Sequence, residues 1–195
     1  MVKLQIYFYF DQTRCIGCQA CVVACKDWNN IPPGPANWIS VETIEEGKFP
    51  NLRVSFIIHK CHHCIEPACI QSCPSGAISK RKEDGIVVVH SEICLGKSKC
   101  GLCLDSCPYK APQFREDNQS HMEKCDLCLE RWEQGKKPIC VMGCPTRALD
   151  AGSLEEIESL YGKNHEAIGF IYSLKTKPAI VFRSKSKINN KCYIK

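Results

Sequence analysis

At 195 residues, with an ordinary balance of apolar and charged residues, the chain has room for one domain or for two small ones sharing a core. Its 17 cysteines exceed anything thiol packing calls for and point to disulfides or metal. No apolar run approaches the roughly 18 residues of a membrane span, and the formal charge of +5 suggests a nucleic-acid binder only while every cysteine is counted neutral.

Met1–Phe10 alternates like a strand and Asp11 follows at once, so Gln5–Phe10 is predicted as β. A secretory signal would need a longer apolar stretch and a small-residue cleavage site. The thiols are therefore expected in a reducing compartment, the cytoplasm, where disulfides are disfavoured. The first cysteine group follows, Cys15-x2-Cys18-x2-Cys21-x3-Cys25, and Pro32-Pro33-Gly34-Pro35 ends whatever helix follows Cys18. Trp38–Ile44 and Arg53–His59 read as a hairpin crossing at Glu45-Glu46-Gly47-Lys48, with Glu42, Glu45 and Glu46 in a solvated turn. The second group is Cys61-x2-Cys64-x4-Cys69-x3-Cys73-Pro74. Gly85–His90 is a predicted strand leading into the third, Cys94-x5-Cys100-x2-Cys103-x3-Cys107-Pro108.

The fourth group is Cys125-x2-Cys128-x11-Cys140-x3-Cys144-Pro145, with a predicted helix over Asp126–Gln134 stopped at Gly135. Ser153 and Glu156 form a capping box opening a helix to about Tyr161, and Pro178–Arg183 returns as a strand. Residues 175–195 carry Lys175, Lys177, Arg183, Lys185, Lys187, Lys191 and Lys195 with no acid, a solvated terminus. Cys192 stands alone as a bystander.

Spacing separates zinc from iron–sulfur. A structural zinc site takes two knuckle pairs and has no use for three cysteines within seven residues followed by a fourth. A cubane does, because three thiolates on one tight loop bind three corners and a remote cysteine reaches the fourth iron. In two-cluster ferredoxins the cysteine before proline ligates the other cluster. If the chain is two ferredoxin-like modules, the second and third groups pair within one. Cys61, Cys64 and Cys69 then take Cys107, and Cys94, Cys100 and Cys103 take Cys73. The first and fourth groups are left for each other: Cys15, Cys18 and Cys21 with Cys144, and Cys125, Cys128 and Cys140 with Cys25.

The expected fold is α+β: two ferredoxin-like dicluster modules, one inserted in the other, with short strands, short helices and many loops. Residues 1–60 hold the first part of the outer module and the hairpin, 61–120 the inserted module, 121–152 the second part of the outer module, and 153–195 a helix and basic tail. Four [4Fe-4S] clusters follow. With sixteen thiolates and four cores of about +2 each, the net charge falls to about −3 and the apparent basicity disappears.

These groups and their flanks resemble the four-cluster iron–sulfur subunit of the dimethyl sulfoxide reductase family. The likeness covers about residues 5–152. It rests on Arg14-Cys-Ile-Gly-Cys-Gln-Ala-Cys21, Ala24-Cys-Lys-Asp-Trp28, His63-Cys-Ile-Glu-Pro-Ala-Cys69 and Cys73-Pro-Ser-Gly-Ala77. It continues through Cys107-Pro-Tyr-Lys-Ala-Pro-Gln113, His121-Met-Glu-Lys-Cys-Asp-Leu-Cys128, Gly135-Lys-Lys-Pro-Ile-Cys140 and Cys144-Pro-Thr-Arg-Ala-Leu149. The resemblance implies a non-catalytic electron-transfer subunit beside a large molybdenum- or tungsten-pterin subunit. A membrane-anchor quinone subunit or a soluble carrier stands at the other end. Similar subunits accompany tungsten enzymes of the aldehyde oxidoreductase type. Some members travel folded with a signal-bearing partner, or sit on the membrane through another subunit, as alternatives to the cytoplasm.

One departure stands out. The family spacing would place the first cysteine of the third group at Lys97. Either Lys97-Ser98-Lys99 is an inserted bulge and Cys94 remains a ligand, or that ligand is lost and one cluster is [3Fe-4S].

The chain has no nucleophile elbow, P-loop or dinucleotide fingerprint. Lys26, Lys60, Lys99, Lys110 and Lys124 lie beside ligands, where positive charge would raise cluster potentials. His62 and His63 are read as non-ligands, and Trp28, Trp38 and Trp132 as packing residues. A free-standing polyferredoxin and a multi-zinc module, the latter for nucleic acid, are the alternatives; no nucleic-acid partner is expected.

Overall fold

The computed structural model describes residues 4–116 and 120–185. Its elements run β1 (Ile6–Asp11), α1 (Ala20–Trp28), β2 (Ile39–Glu46), β3 (Arg53–Lys60), α2 (Ala68–Gln71), β4 (Ile78–Lys80) and β5 (Val87–Val89). They continue with a 3-10 turn (Ser91–Ile93), α3 (Leu102–Ser106), α4 (Leu129–Glu133), α5 (Ile139–Met142), β6 (Leu149–Ser153), α6 (Leu154–Tyr161) and β7 (Ile180–Arg183).

All four cysteine groups fold into the same local unit. The residue two after the first cysteine adopts a left-handed backbone: Gly17 (φ 69), His63 (φ 44), Gly96 (φ 76) and Leu127 (φ 62). That conformation reverses the chain within three residues. Glycine takes it without strain, whereas His63 and Leu127 are held there by burial. A Cβ at Gly17 would also strike the Phe56 ring of the hairpin. A short helix then carries the chain from the third cysteine towards the fourth, α1, α2, α3 and α5 in turn.

Proline after the fourth cysteine stops the helix in three groups. A second left-handed residue, Gly76, Lys110 or Arg147, folds its N–H back onto the carbonyl of Cys73, Cys107 or Cys144 at 3.2–3.3 Å. The first group has Lys26 at this place, and α1 accordingly runs on through Cys25 to Trp28.

The main sheet has the order β6-β1-β7. β1 is antiparallel to β6, with Phe8 opposite Ala151, and parallel to β7, with Phe8 opposite Ile180. This central strand is buried along its whole length. Ile6, Phe8 and Phe10 face the core that contains Cys21, Cys25, Cys140 and Cys144. Tyr7 and Tyr9 face Ile157 of α6, and Tyr9 stacks on Tyr161 at 3.7 Å between centroids. Two hairpins complete the fold, β2-β3 and β4-β5.

Three sequence expectations shift. The first hairpin is longer than predicted and turns after Glu46, so Glu42, Glu45 and Glu46 lie on β2, with Glu42 bonded to His59 at 2.6 Å. α4 starts at Leu129, because left-handed Leu127 and Cys128 cannot join a helix. The ligand loop overrides helix propensity there. Cys192, Lys187, Lys191 and Lys195 lie outside the described residues.

The Ser153 half of the predicted capping box forms, with Ser153 Oγ accepting from the Glu156 N–H at 3.1 Å, while the Glu156 carboxylate takes the Lys137 ammonium at 3.1 Å. Ser153→Ala should destabilise α6 by about 1 kcal/mol. Hydrogen exchange at the α6 amides would show it as faster opening, and unchanged exchange would exclude the cap as a source of stability.

Candidate metal centres

The units bring sixteen thiols together in four quartets, each with three cysteines from one group and one from another. Cys25, Cys125, Cys128 and Cys140 line a cavity of about 290 Å³, counting the space open to solvent. Cys61, Cys64, Cys69 and Cys107 wall one of about 390 Å³, and Cys73, Cys94, Cys100 and Cys103 one of about 360 Å³. In the fourth set, Cys15, Cys18 and Cys144 are the charge neighbours of Cys21. We number these sets along the fold: quartet one holds Cys21, quartet two Cys25, quartet three Cys61 and quartet four Cys73.

The thiols are costly to ionise in place. Burial, reinforced by neighbouring thiols, pushes Cys21, Cys103 and Cys128 up to about 11, and Cys64 and Cys69 up to about 12. Burial also raises Cys25, and Cys140 lies well above the usual range. Cys73 is the exception. Burial pushes it up, but the Ser75 hydroxyl and the backbone N–H groups of Ala77, Ser75 and Ile78 outweigh that and lower it.

Several donors already point at sulfur. Backbone N–H groups of Met122, Leu127 and Ala148 reach Cys94, Cys125 and Cys144 at 3.5, 3.4 and 3.3 Å. Asn29 Nδ2 donates to Cys25 Sγ at 3.6 Å, while the hydroxyls of Ser75 and Thr146 lie 3.6 Å from Cys73 and Cys144. Such bonds stabilise negative charge on sulfur and tune cluster potential. The sequence pattern did not single out Asn29, Ser75 or Thr146. The serine and threonine were legible in principle, two residues after a Cys-Pro cysteine.

Residues 97–99 form a turn, Lys97 is exposed, and its N–H bonds Ser120 O at 3.2 Å. Cys94 lines the quartet-four cavity. Gly96 keeps the left-handed turn that the other groups use, and the extra residues leave the loop after it.

Lys60 and Lys124 are buried, whereas Lys99 and Lys110 are exposed and Lys26 Nζ bonds the loop carbonyls of Pro32 and Gly34. Lys80 was not singled out in the sequence, yet its ammonium donates to the carbonyls of Cys64 and Ile65 at 2.9 and 3.0 Å. Burial holds His62 and His63 well below the usual histidine range, so both are neutral. His63 Nδ1 accepts the Val87 N–H at 3.0 Å, and His62 packs edge-on against Tyr109 and Phe170. Trp38 lines the quartet-two cavity and bonds Glu123 at 3.3 Å, Trp132 packs on the core, and Trp28 lies under the Arg131 guanidinium.

The donor set fits an iron–sulfur cluster. Among the described residues no group of three or more His, Cys, Asp or Glu is placed to hold a single metal ion. The quartets instead surround space, as a bulky core needs, and all-thiolate ligation is what [4Fe-4S] clusters use. Loops of this kind, paired through exchanged fourth cysteines, define the ferredoxin-like dicluster class.

Comparison with known proteins agrees. Residues 52–154 and residues 14–77 each match a family model described as a 4Fe-4S dicluster domain. The sequence is 40% identical to the B subunit of anaerobic dimethyl sulfoxide reductase of Escherichia coli over 190 residues, covering 92% of this protein and 88% of that one. It is 39% identical to the probable anaerobic dimethyl sulfoxide reductase subunit YnfG of the same organism, with the same coverage. To Protein NrfC of Escherichia coli it is 35% identical, over 76% of this protein and 66% of that one. The protein belongs to the iron–sulfur, electron-transfer subunits of the dimethyl sulfoxide reductase family, which are not catalytic on their own.

Because the ligand is the thiolate and these thiols titrate above their ordinary range, loading must displace protons. Reconstitution with iron and sulfide should therefore accelerate from about pH 7 to about pH 9, as the thiolate fraction rises about tenfold per unit. The growth of the visible sulfur-to-iron absorption measures it, and a rate flat across that range would contradict the raised thiols.

Proposed function

We propose that the protein is a four-cluster electron wire, with quartets one to four each holding one [4Fe-4S] cluster. Quartet one is Cys15, Cys18, Cys21 and Cys144; quartet two is Cys125, Cys128, Cys140 and Cys25. Quartet three is Cys61, Cys64, Cys69 and Cys107; quartet four is Cys94, Cys100, Cys103 and Cys73. Quartets one and two belong to an outer module, residues 1–60 and 121–152, into which residues 61–120 insert the module of quartets three and four. Bound there, the clusters supply reversible one-electron storage.

The contiguity of the quartets is the observation that carries this reading. Cys21 and Cys144 of quartet one share a core with Cys25 and Cys140 of quartet two. Cys125 of quartet two packs with Cys61 of quartet three. Cys69 of quartet three feels the charge of Cys103 in quartet four. The polypeptide's own work is to keep these neighbours close and to exclude water from the middle pair.

The two ends are built differently from the middle. Cys18 is exposed, with exposed Ile16 beside it and exposed Val23 on α1. Ile93, Leu95 and Leu102 are exposed around the third-group loop. Apolar side chains at both ends favour docking of two redox partners. One is a large catalytic subunit with a molybdenum- or tungsten-pterin centre, and the other is a quinone-linked membrane subunit or a soluble carrier. No helix among the described residues is long and apolar enough to cross a membrane. The cytoplasm, which keeps thiols reduced, is the proposed compartment.

Protein purified anaerobically should contain about 16 iron atoms and as much acid-labile sulfide, with no three-iron EPR signal when oxidised. Cys94→Ala should lower iron to about 15 and create that signal, while Lys97→Ala should do neither. A wild-type three-iron signal would overturn Cys94 as a ligand. Co-purification of a large subunit carrying molybdenum or tungsten, measured by elemental analysis, tests the partner; isolation of the protein alone in its native state would favour a free carrier.

A further inference from the structure

Lys60 and Lys124 are the only buried lysines or arginines among the described residues, at 2% and 3% exposure. Each immediately precedes the first ligand of a group, and each ammonium donates to the carbonyl of that next cysteine. Lys60 Nζ lies 2.9 Å from Cys61 O, and Lys124 Nζ lies 3.1 Å from Cys125 O. Lys124 also donates to Val87 O, and Lys60 sits 4.0 Å over the Phe8 ring. Among the described residues neither forms an ion pair with a carboxylate. Carbonyls and a ring satisfy the donors but leave the charge uncancelled. A buried, uncompensated ammonium is strongly destabilising, so each of these two calls for an anion nearby.

The cavities identify it, and they do so crosswise. Lys60 leads into Cys61 of quartet three, yet it lines the quartet-two cavity with Cys25, Cys125, Cys128 and Cys140. Lys124 leads into Cys125 of quartet two, yet it lines the quartet-three cavity with Cys61, Cys64, Cys69 and Cys107.

We propose that Lys60 and Lys124 form a crossed pair of fixed charges, each stabilising the reduced cluster of the quartet its own loop does not ligate. The inference rests on the four-cluster reading. A core of about +2 held by four thiolates carries about −2 oxidised and about −3 reduced, so a nearby ammonium favours reduction. One electron passes between the middle clusters, one being oxidised and the other reduced. No bond forms or breaks, and no proton need move, since the compensating charge is already in place. The two lysines are positioning residues for the hop between the middle clusters, and the exchange couples each ligand loop to the potential of the cluster that the other loop holds.

The test is a redox titration of the full, cluster-loaded protein followed by low-temperature EPR, with middle-cluster signals assigned from Cys128→Ser and Cys64→Ser. Lys60→Met should lower the midpoint of the quartet-two cluster by a tenfold change in its reduction equilibrium, about 59 mV for one electron. Lys124→Met should do the same to the quartet-three cluster. Lys60→Arg and Lys124→Arg should stay near wild type. Should a Met variant lose iron, the loss must fall on the crossed quartet and be prevented by the Arg variant. A shift or loss at the sequence-adjacent quartet, unchanged midpoints at full iron content, or Arg variants behaving like Met would overturn the proposal. The wild-type iron count tests the four-cluster reading separately, and absence of either middle cluster would defeat both.

Discussion

Gathering sixteen thiols into four tight sets, all but Cys18 buried or half-buried, is the constraint on which the rest of this structure depends. Buried thiolates repel one another and lose hydration, which is why burial raises so many of them. The fold answers with backbone geometry. Left-handed residues inside each loop turn the backbone sharply, short helices aim the third and fourth cysteines, and backbone N–H groups point at sulfur. Ordinary core residues are arranged around this. The Phe8 and Phe10 face of β1 packs directly against the cysteine-bearing helices, so the main sheet and the metal centres share a core.

Exchange of the fourth cysteine makes the architecture cooperative. No loop completes a quartet alone, so α1 and α5 must pack together before quartets one and two exist, and α2 and α3 before quartets three and four. The crossed lysines extend the same logic to electrostatics. Each lysine precedes the first cysteine of one quartet and lines the cavity of the other. Burial separates these two from Lys26, Lys99 and Lys110, because water screens a surface charge and leaves a buried one strong.

Where local sequence pattern and structure differ, ligand geometry and strand pairing prevailed over the pattern. Asp126–Gln134 has helical character, but Leu127 and Cys128 are turned left-handed and the helix shortens to Leu129–Glu133. Glu42 and Glu45 read as a turn, yet pairing with β3 extends β2 past them. Cys94 could not be assigned by counting, since Lys97 occupied the expected place; Gly96 supplied the turn, and the insertion after it left the cavity wall intact.

By itself the sequence determined the chemistry. Cysteine spacing, three Cys-Pro endings and the flanking motifs specify thiolate loops for cubane clusters and the family that uses them, because ligand reach along a tight loop is a local property. The strand before the first group and the Ser153 cap were legible for the same reason. The exchange rule gave the thiol sets as an expectation; only the tertiary structure decided which of them line a shared cavity, which sulfurs receive hydrogen bonds, and which lysines are buried beside them. Those depend on contacts between segments up to a hundred or more residues apart, such as Cys25 with Cys125, and on burial, which no local pattern encodes.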